Sequence, residues 1–209
     1  TDQAWFCAVN RANGLLKWKI RTEGVVGHAR PVITNKVVCF GTTGLSPEQK
    51  EHGIFYAVDL ATGRVEWKTV SDGSGFHAPP VAENGGVYYG VDDLFLWAVE
   101  VRPWRARWIF NTETRDPNAS LAVHNGTVSV LANRRLYVVR EGKSVFQGPM
   151  DQGPAGPDPA NPGPGSGPET ALPAGLAIGP SQLLYSRENE IAGFDLERER
   201  LPDLSLLRR

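Results

Sequence analysis

Cysteine is scarce: the chain of 209 residues has two, Cys7 and Cys39. That excludes a disulfide-stapled mini-protein, and the strand-like apolar neighbours of both positions predict reduced, buried thiols. Neither charge is in surplus, with 22 lysines and arginines against 23 acids. No global field therefore draws the chain to nucleic acid or an anionic membrane. No apolar run approaches the ~18 residues that span a bilayer, and the opening Thr-Asp-Gln-Ala-Trp carries no signal-peptide pattern. No segment of helical length keeps a 3.6-residue apolar period. What the chain does have is glycine (23) and proline (16), the mark of many turns, in a composition that is 41% apolar. That is enough for a sizeable core.

The chain repeats itself. Ala8-Val9-Asn10-Arg11-Ala12-Asn13-Gly14-Leu15-Leu16-Lys17-Trp18 aligns without gaps to Ala57-Val58-Asp59-Leu60-Ala61-Thr62-Gly63-Arg64-Val65-Glu66-Trp67, 49 positions on. A third copy runs from Ala98 to Trp108 after a further 41 positions, with Trp104 in place of the turn glycine. Downstream, His28-Ala29-Arg30-Pro31-Val32 corresponds to His77-Ala78-Pro79-Pro80-Val81 and more weakly to Asn118-Ala119-Ser120-Leu121-Ala122. Between these markers lie short segments rich in β-branched and aromatic residues, bounded by Gly, Asn and Asp: Pro31 to Thr34, Val37 to Gly41, Ile54 to Asp59 and Val65 to Val70. Phe55, Ala57 and Asp59 share one face and Tyr56, Val58 and Leu60 the other, as a sandwiched strand requires. Four strands in about 41 residues make one blade of a β-propeller. The chain therefore reads as all-β, about four and a half four-stranded antiparallel blades forming a partial ring. Residues 1–147 hold a half blade and three full blades. Residues 148–173, where 14 of 26 are Gly or Pro, read as a flexible insertion. Residues 174–209 read as a further partial blade and a charged tail. Ser46-Pro47-Glu48 is expected to open one helical turn, and Asp92-Asp93 to supply turn chemistry rather than a metal pair.

The text from Tyr56 to Trp67, followed by Pro79-Pro80-Val81-Ala82-Glu83-Asn84-Gly85-Gly86-Val87-Tyr88-Tyr89-Gly90, resembles the pyrroloquinoline-quinone-type propeller repeat. That family includes quinone-dependent dehydrogenases, the BamB-like scaffold of outer-membrane protein assembly, and ligand-sensing ectodomains of bacterial kinases. The resemblance implies that Trp18, Trp67 and Trp108 dock between adjacent blades, with Ala8, Ala57 and Ala98 permitting close approach. It also favours a periplasmic or extracellular location. The quinone dehydrogenases carry adjacent cysteines and a calcium-binding set for which this sequence shows no counterpart. No cofactor and no metal are therefore expected.

The candidate binding residues follow from the repeat. His28, His77 and Asn118 occupy one place in consecutive blades, just before the first strand, and with Arg30 they converge on a channel mouth able to hold an anion or a peptide carbonyl. Trp104, at a hairpin end, is expected to project toward a partner. Arg102, Arg105 and Arg107 read as a solvated strand face. No nucleophile elbow, phosphate loop or metalloprotease motif is present. The reading is a non-enzymatic binding or scaffolding module for a protein or peptide, the alternatives being part of a quinoprotein dehydrogenase or a receptor-kinase ectodomain. No catalytic residue is assigned. Four and a half blades leave strand edges uncovered, which predicts closure by a second copy or by further blades of a longer polypeptide.

Overall fold

The structure, a computed structural model, describes residues 4–25, 30–44, 53–71, 75–76, 78–90, 94–113, 119–132, 135–149, 176–178, 182–187 and 190–195. Among these residues there are seventeen strands and no helix. They form five antiparallel meanders in chain order. The first sheet holds β1 (Ala4–Val9) and β2 (Leu16–Thr22). The second holds β3 (Val32–Thr34), β4 (Val37–Gly41), β5 (Gly53–Asp59) and β6 (Val65–Ser71). The third holds β7 (Val81–Glu83), β8 (Gly86–Gly90), β9 (Phe95–Val101) and β10 (Trp104–Asn111). The fourth holds β11 (Ser120–His124), β12 (Thr127–Ala132), β13 (Arg135–Arg140) and β14 (Lys143–Pro149). The last holds β15 (Leu176–Ile178), β16 (Gln182–Arg187) and β17 (Glu190–Asp195).

β14 runs two residues past the expected boundary at 147. Ser46 to Glu48, Asp92-Asp93, the tract from Met150 to Pro173 and the tail from Leu196 lie outside the described residues. The first strands β3, β7, β11 and β15 pack on one another in succession, so they form the inner side of an arc of blades that is not closed into a ring.

Three clusters fill the spaces between sheets. Phe6, Ala8, Trp18 and Ile20 of the first sheet pack on Val38, Phe40, Ile54, Tyr56 and Val58 of the second. Val37, Cys39, Phe55 and Ala57 face Val87, Val99 and Val101 of the third. Tyr88, Leu96 and Ala98 face Leu121, Val128, Val130, Tyr137 and Val139 of the fourth. β5 is therefore buried on both sides, Ile54, Tyr56 and Val58 toward one neighbour and Phe55 and Ala57 toward the other. Each such side chain contributes about 1.5–3 kcal/mol of transfer free energy.

The two thiols differ. Cys39 is fully buried, as expected, whereas Cys7 is exposed, against expectation. Cys7 lies with Trp5 and Val9 on the face of β1 turned away from the second sheet, and no described residue from another sheet covers that face.

In each of the first four sheets the outermost hairpin carries a β-bulge at one repeated place. It follows Ala8 opposite Trp18, Ala57 opposite Trp67, Ala98 opposite Trp108, and Val138 opposite Phe146. The extra residue bends the outer strand and re-aims the aromatic ring.

Candidate functional site

Antiparallel order sorts the loops to two ends. The β3–β4 and β5–β6 turns share one end, where the Leu60 amide donates to the Lys36 carbonyl at 2.9 Å, and Val101 does the same to Gly85 at 3.4 Å. The first residues of β3, β7 and β11 lie at the other end. There the buried Thr42 ties three segments together. Its hydroxyl donates to the Glu23 carbonyl at 2.9 Å and accepts from the Ile54 amide at 3.1 Å, while its carbonyl accepts from Phe76 at 3.2 Å.

Of the sequence-predicted binding residues, His28, His77 and Asn118 lie outside the described residues. Arg30 is described, exposed, two residues before β3 at the crossover end, and among the described residues it has no ion-pair or hydrogen-bond partner. The other arginines singled out differ. Arg102 reaches back across the seam between third and second sheets, donating to Asp59 Oδ2 at 2.9 Å and to Glu66 Oε1 at 2.5 Å. Arg105 pairs with Glu100 at 2.7 Å, and Arg107 lies 3.6 Å from the same carboxylate. Asp59 is held at about 2, below the usual carboxylate value, by Thr62 hydroxyl and amide donors and by Arg102. Arg105, followed by Arg107, lowers Glu100.

Trp104 does not project from its hairpin. Its ring stacks on Trp67 of the second sheet, with centroids 3.2 Å apart and planes at 18°. The reason is the glycine it replaces. Trp18 lies on the Ala61-Thr62-Gly63 turn, where a Cβ on Gly63 would fall 2.8 Å from the indole, and its Nε1 donates to the Leu60 carbonyl at 3.0 Å. Trp108 lies on the β13–β14 turn, 2.9 Å from where a Cβ on Gly142 would stand. In the third sheet the turn offers a ring instead of an open glycine, and Trp67 meets it face to face.

A row at the turn end went unread in the sequence. Asn35-Lys36, Asn84-Gly85 and Asn125-Gly126 all have positive φ, the geometry of a two-residue hairpin turn. The three asparagines recur at the same 49 and 41 spacings as the tryptophans, which is the signal that could have found them. Neighbouring turns touch. Glu83 accepts the backbone N–H groups of Asn125 and Gly126 at 2.9 and 2.8 Å, and the Asn35 amide lies against Gly85. His124 Nε2 is 3.1 Å from Asn125 Nδ2. This end is tied together by its own groups. Among the described residues, no set of three His, Cys, Asp or Glu side chains is placed to hold a metal ion. Burial pushes the Cys39 thiol up to about 12, which disfavours its thiolate form.

Comparison with known proteins defines the class by fold alone. No protein-family profile matches the sequence, and no curated protein matches it. Among solved structures, BamB from Moraxella catarrhalis, a β-propeller, superposes at a TM-score of 0.62 with 12% identity, over 93% of this chain and 53% of BamB. The computationally designed Ika4 protein superposes at 0.59 with 11% identity, over 84% of this chain and 93% of Ika4. The designed Ika8 protein gives 0.56 with 11% identity, over 79% of this chain and 44% of Ika8. The protein has a β-propeller-type fold and spans about half the length of BamB.

Proposed function

We propose that the protein is a non-enzymatic propeller module that binds a protein or peptide at the crossover end of its blades, where the chain leads into β3, β7 and β11. The observation that carries this reading is the contrast among the arginines. Arg102, Arg105 and Arg107 are each engaged by a carboxylate, while Arg30 is exposed with no partner among the described residues. An unpaired guanidinium on the inner rim of an arc is suited to a carboxylate or a peptide carbonyl. His28, His77 and Asn118 occupy the equivalent lead-in positions of the sequence repeat and complete the proposed polar set. Fold alone does not assign a ligand, so the reading rests on this set and on the repeat resemblance.

The test is selection of extended acidic peptides from an array, then titration of the best binder against variants. Arg30→Ala should weaken its Kd about tenfold, the size of a lost charge-assisted hydrogen bond. His28→Ala with His77→Ala should weaken it mainly below about pH 6.5, where unperturbed imidazoles are charged. Equal affinity of wild type and both variants would remove the site.

A further inference from the structure

The first residue of β13 breaks the repeat. Val138 lies opposite Phe146 at the bulge as Ala57 lies opposite Trp67 and Ala98 opposite Trp108, which fixes the correspondence. Three positions before these stand Ile54, Phe95 and Arg135. Ile54 is buried against the first sheet, so a charged side chain enters at a place that is apolar earlier in the chain. The pairing of Arg135 with Ala132 puts it at the end of the sheet where β11 begins. Its Nε is buried without a hydrogen-bond partner, and among the described residues its guanidinium has no ion pair. Its neighbour is a ring. Cζ lies 5.8 Å from the centroid of Tyr137, two residues on along the same face of β13.

Tyr137 carries a second unmatched group. It fills the place of Tyr56 and is 1% exposed, with its ring edge-on to Phe110 of the third sheet at 6.0 Å. The Tyr56 hydroxyl accepts the Glu23 amide at 3.0 Å, whereas the buried Tyr137 hydroxyl has no partner among the described residues. The cause is local. Glu113 is the counterpart of Glu23, as the preceding threonines show, Thr22 donating to the Ala4 carbonyl and Thr112 to that of Leu94. Asn111 stands where the first sheet has Arg21, and its Oδ1 accepts the Glu113 amide at 2.7 Å, with Glu113 at a φ of 59°. The amide in the place that serves Tyr56 is thus bonded within its own strand end. A buried phenol and a half-buried guanidinium remain as neighbours at one seam, and both are costly to bury unmatched.

We infer that Arg135 and Tyr137 form a carboxylate site at the seam between the third and fourth sheets. The guanidinium offers a fork of N–H donors with one positive charge, and the phenol adds one O–H. A carboxylate matches this with one negative charge and two acceptor oxygens. A phosphate dianion would bring to a half-buried place a second charge that one guanidinium does not match. Binding draws the flexible Arg135 side chain from the ring onto the carboxylate and opens the hydroxyl to the same group. The site stands on other sheets than Arg30, and its test reads Arg135 itself, so it holds or fails separately from the proposed peptide site.

The test titrates the full chain with sodium propionate at constant ionic strength, chloride making up the difference, and follows the Arg135 Nε–H signal by proton–nitrogen NMR. Arg135→Ile, which installs the residue of the second sheet, identifies that signal by its loss, and Arg135→Gln serves if the first variant does not fold. We expect a saturable shift in the natural chain. Tyr137→Phe should raise the Kd about tenfold, the size of one hydrogen bond to a charged group. An Ala-Glu-Ala peptide with both ends blocked separates the sources of a carboxylate. A saturable shift of the same signal, absent with Ala-Gln-Ala, places the carboxylate on a peptide, and a shift with propionate alone places it on a small free acid. No saturable shift with either probe, or a Kd that Tyr137→Phe leaves the same, would show that the two groups form no site. Tighter binding of inorganic phosphate than of propionate would overturn the choice of carboxylate.

Discussion

At the scale of single residues, the aromatic side chains show how one repeated position can be satisfied in two ways. Trp18 and Trp108 lie on turns whose glycine leaves room for the ring, whereas Trp67 meets the ring of Trp104. The sequence alone suggests that Trp104 projects toward a partner, because it stands in place of the turn glycine. The stack makes it part of the seam between second and third sheets. Truncation of either ring to alanine should cost about 3 kcal/mol, the lower end for an aromatic removed from packing. The pair should also couple by about 0.5–1.5 kcal/mol beyond the area each buries. Urea melts of Trp67→Ala, Trp104→Ala and the double variant measure that coupling. Strict additivity would show that the rings do not support each other.

Among elements, the outer hairpin is the unit that repeats most faithfully. Its bulge recurs in the first four sheets, its left-handed glycine in the first, second and fourth, and its turn carboxylate or amide in the first and second. Asp59 Oδ1 accepts the amides of Ala61 and Thr62 at 3.0 and 2.8 Å, and Asn10 Oδ1 accepts that of Ala12 at 2.9 Å. Gly63 and Gly14 share this backbone but differ in surroundings, and that difference is measurable. Both Gly63→Ala and Gly14→Ala place an L side chain at positive φ, which costs roughly 1–2 kcal/mol. Only Gly63→Ala also drives a methyl into the Trp18 ring, adding about 1–3 kcal/mol of overpacking. Thermal or urea midpoints should therefore fall clearly further for Gly63→Ala. Equal losses would mean that Trp18 does not rest on the turn in solution.

For the molecule as a whole, stability should be graded along the arc. β5 has paired strands on both edges and buried side chains on both faces, whereas β1 has one paired edge and one covered face. Amides of β1 that are bonded to β2 should exchange with solvent about 100-fold faster than those of β5, since opening the first hairpin exposes far less apolar surface. Hydrogen-exchange mass spectrometry of the natural chain resolves the two segments. Equal protection would indicate that the free face is covered in solution.

The sequence by itself determined what is local. Alternation between Ile54 and Asp59, the Ala-Thr-Gly turn and the 49- and 41-residue spacings are properties of contiguous text, because the backbone period and the turn dihedrals are decided by neighbours along the chain. The four strands of the second sheet were legible in this way to within one residue. Tertiary structure decided which face of each strand meets what. Cys7 and Tyr56 occupy the same place in the repeat, yet one is exposed and the other buried, because burial of that place depends on the sheet in front of it. The partners of Arg102, the stacking of Trp104 on Trp67 and the grip of Glu83 on the Asn125 turn join residues about 40 positions apart across a seam. A one-dimensional pattern records that such residues recur. Only the packing of one twisted sheet on the next determines which of them touch.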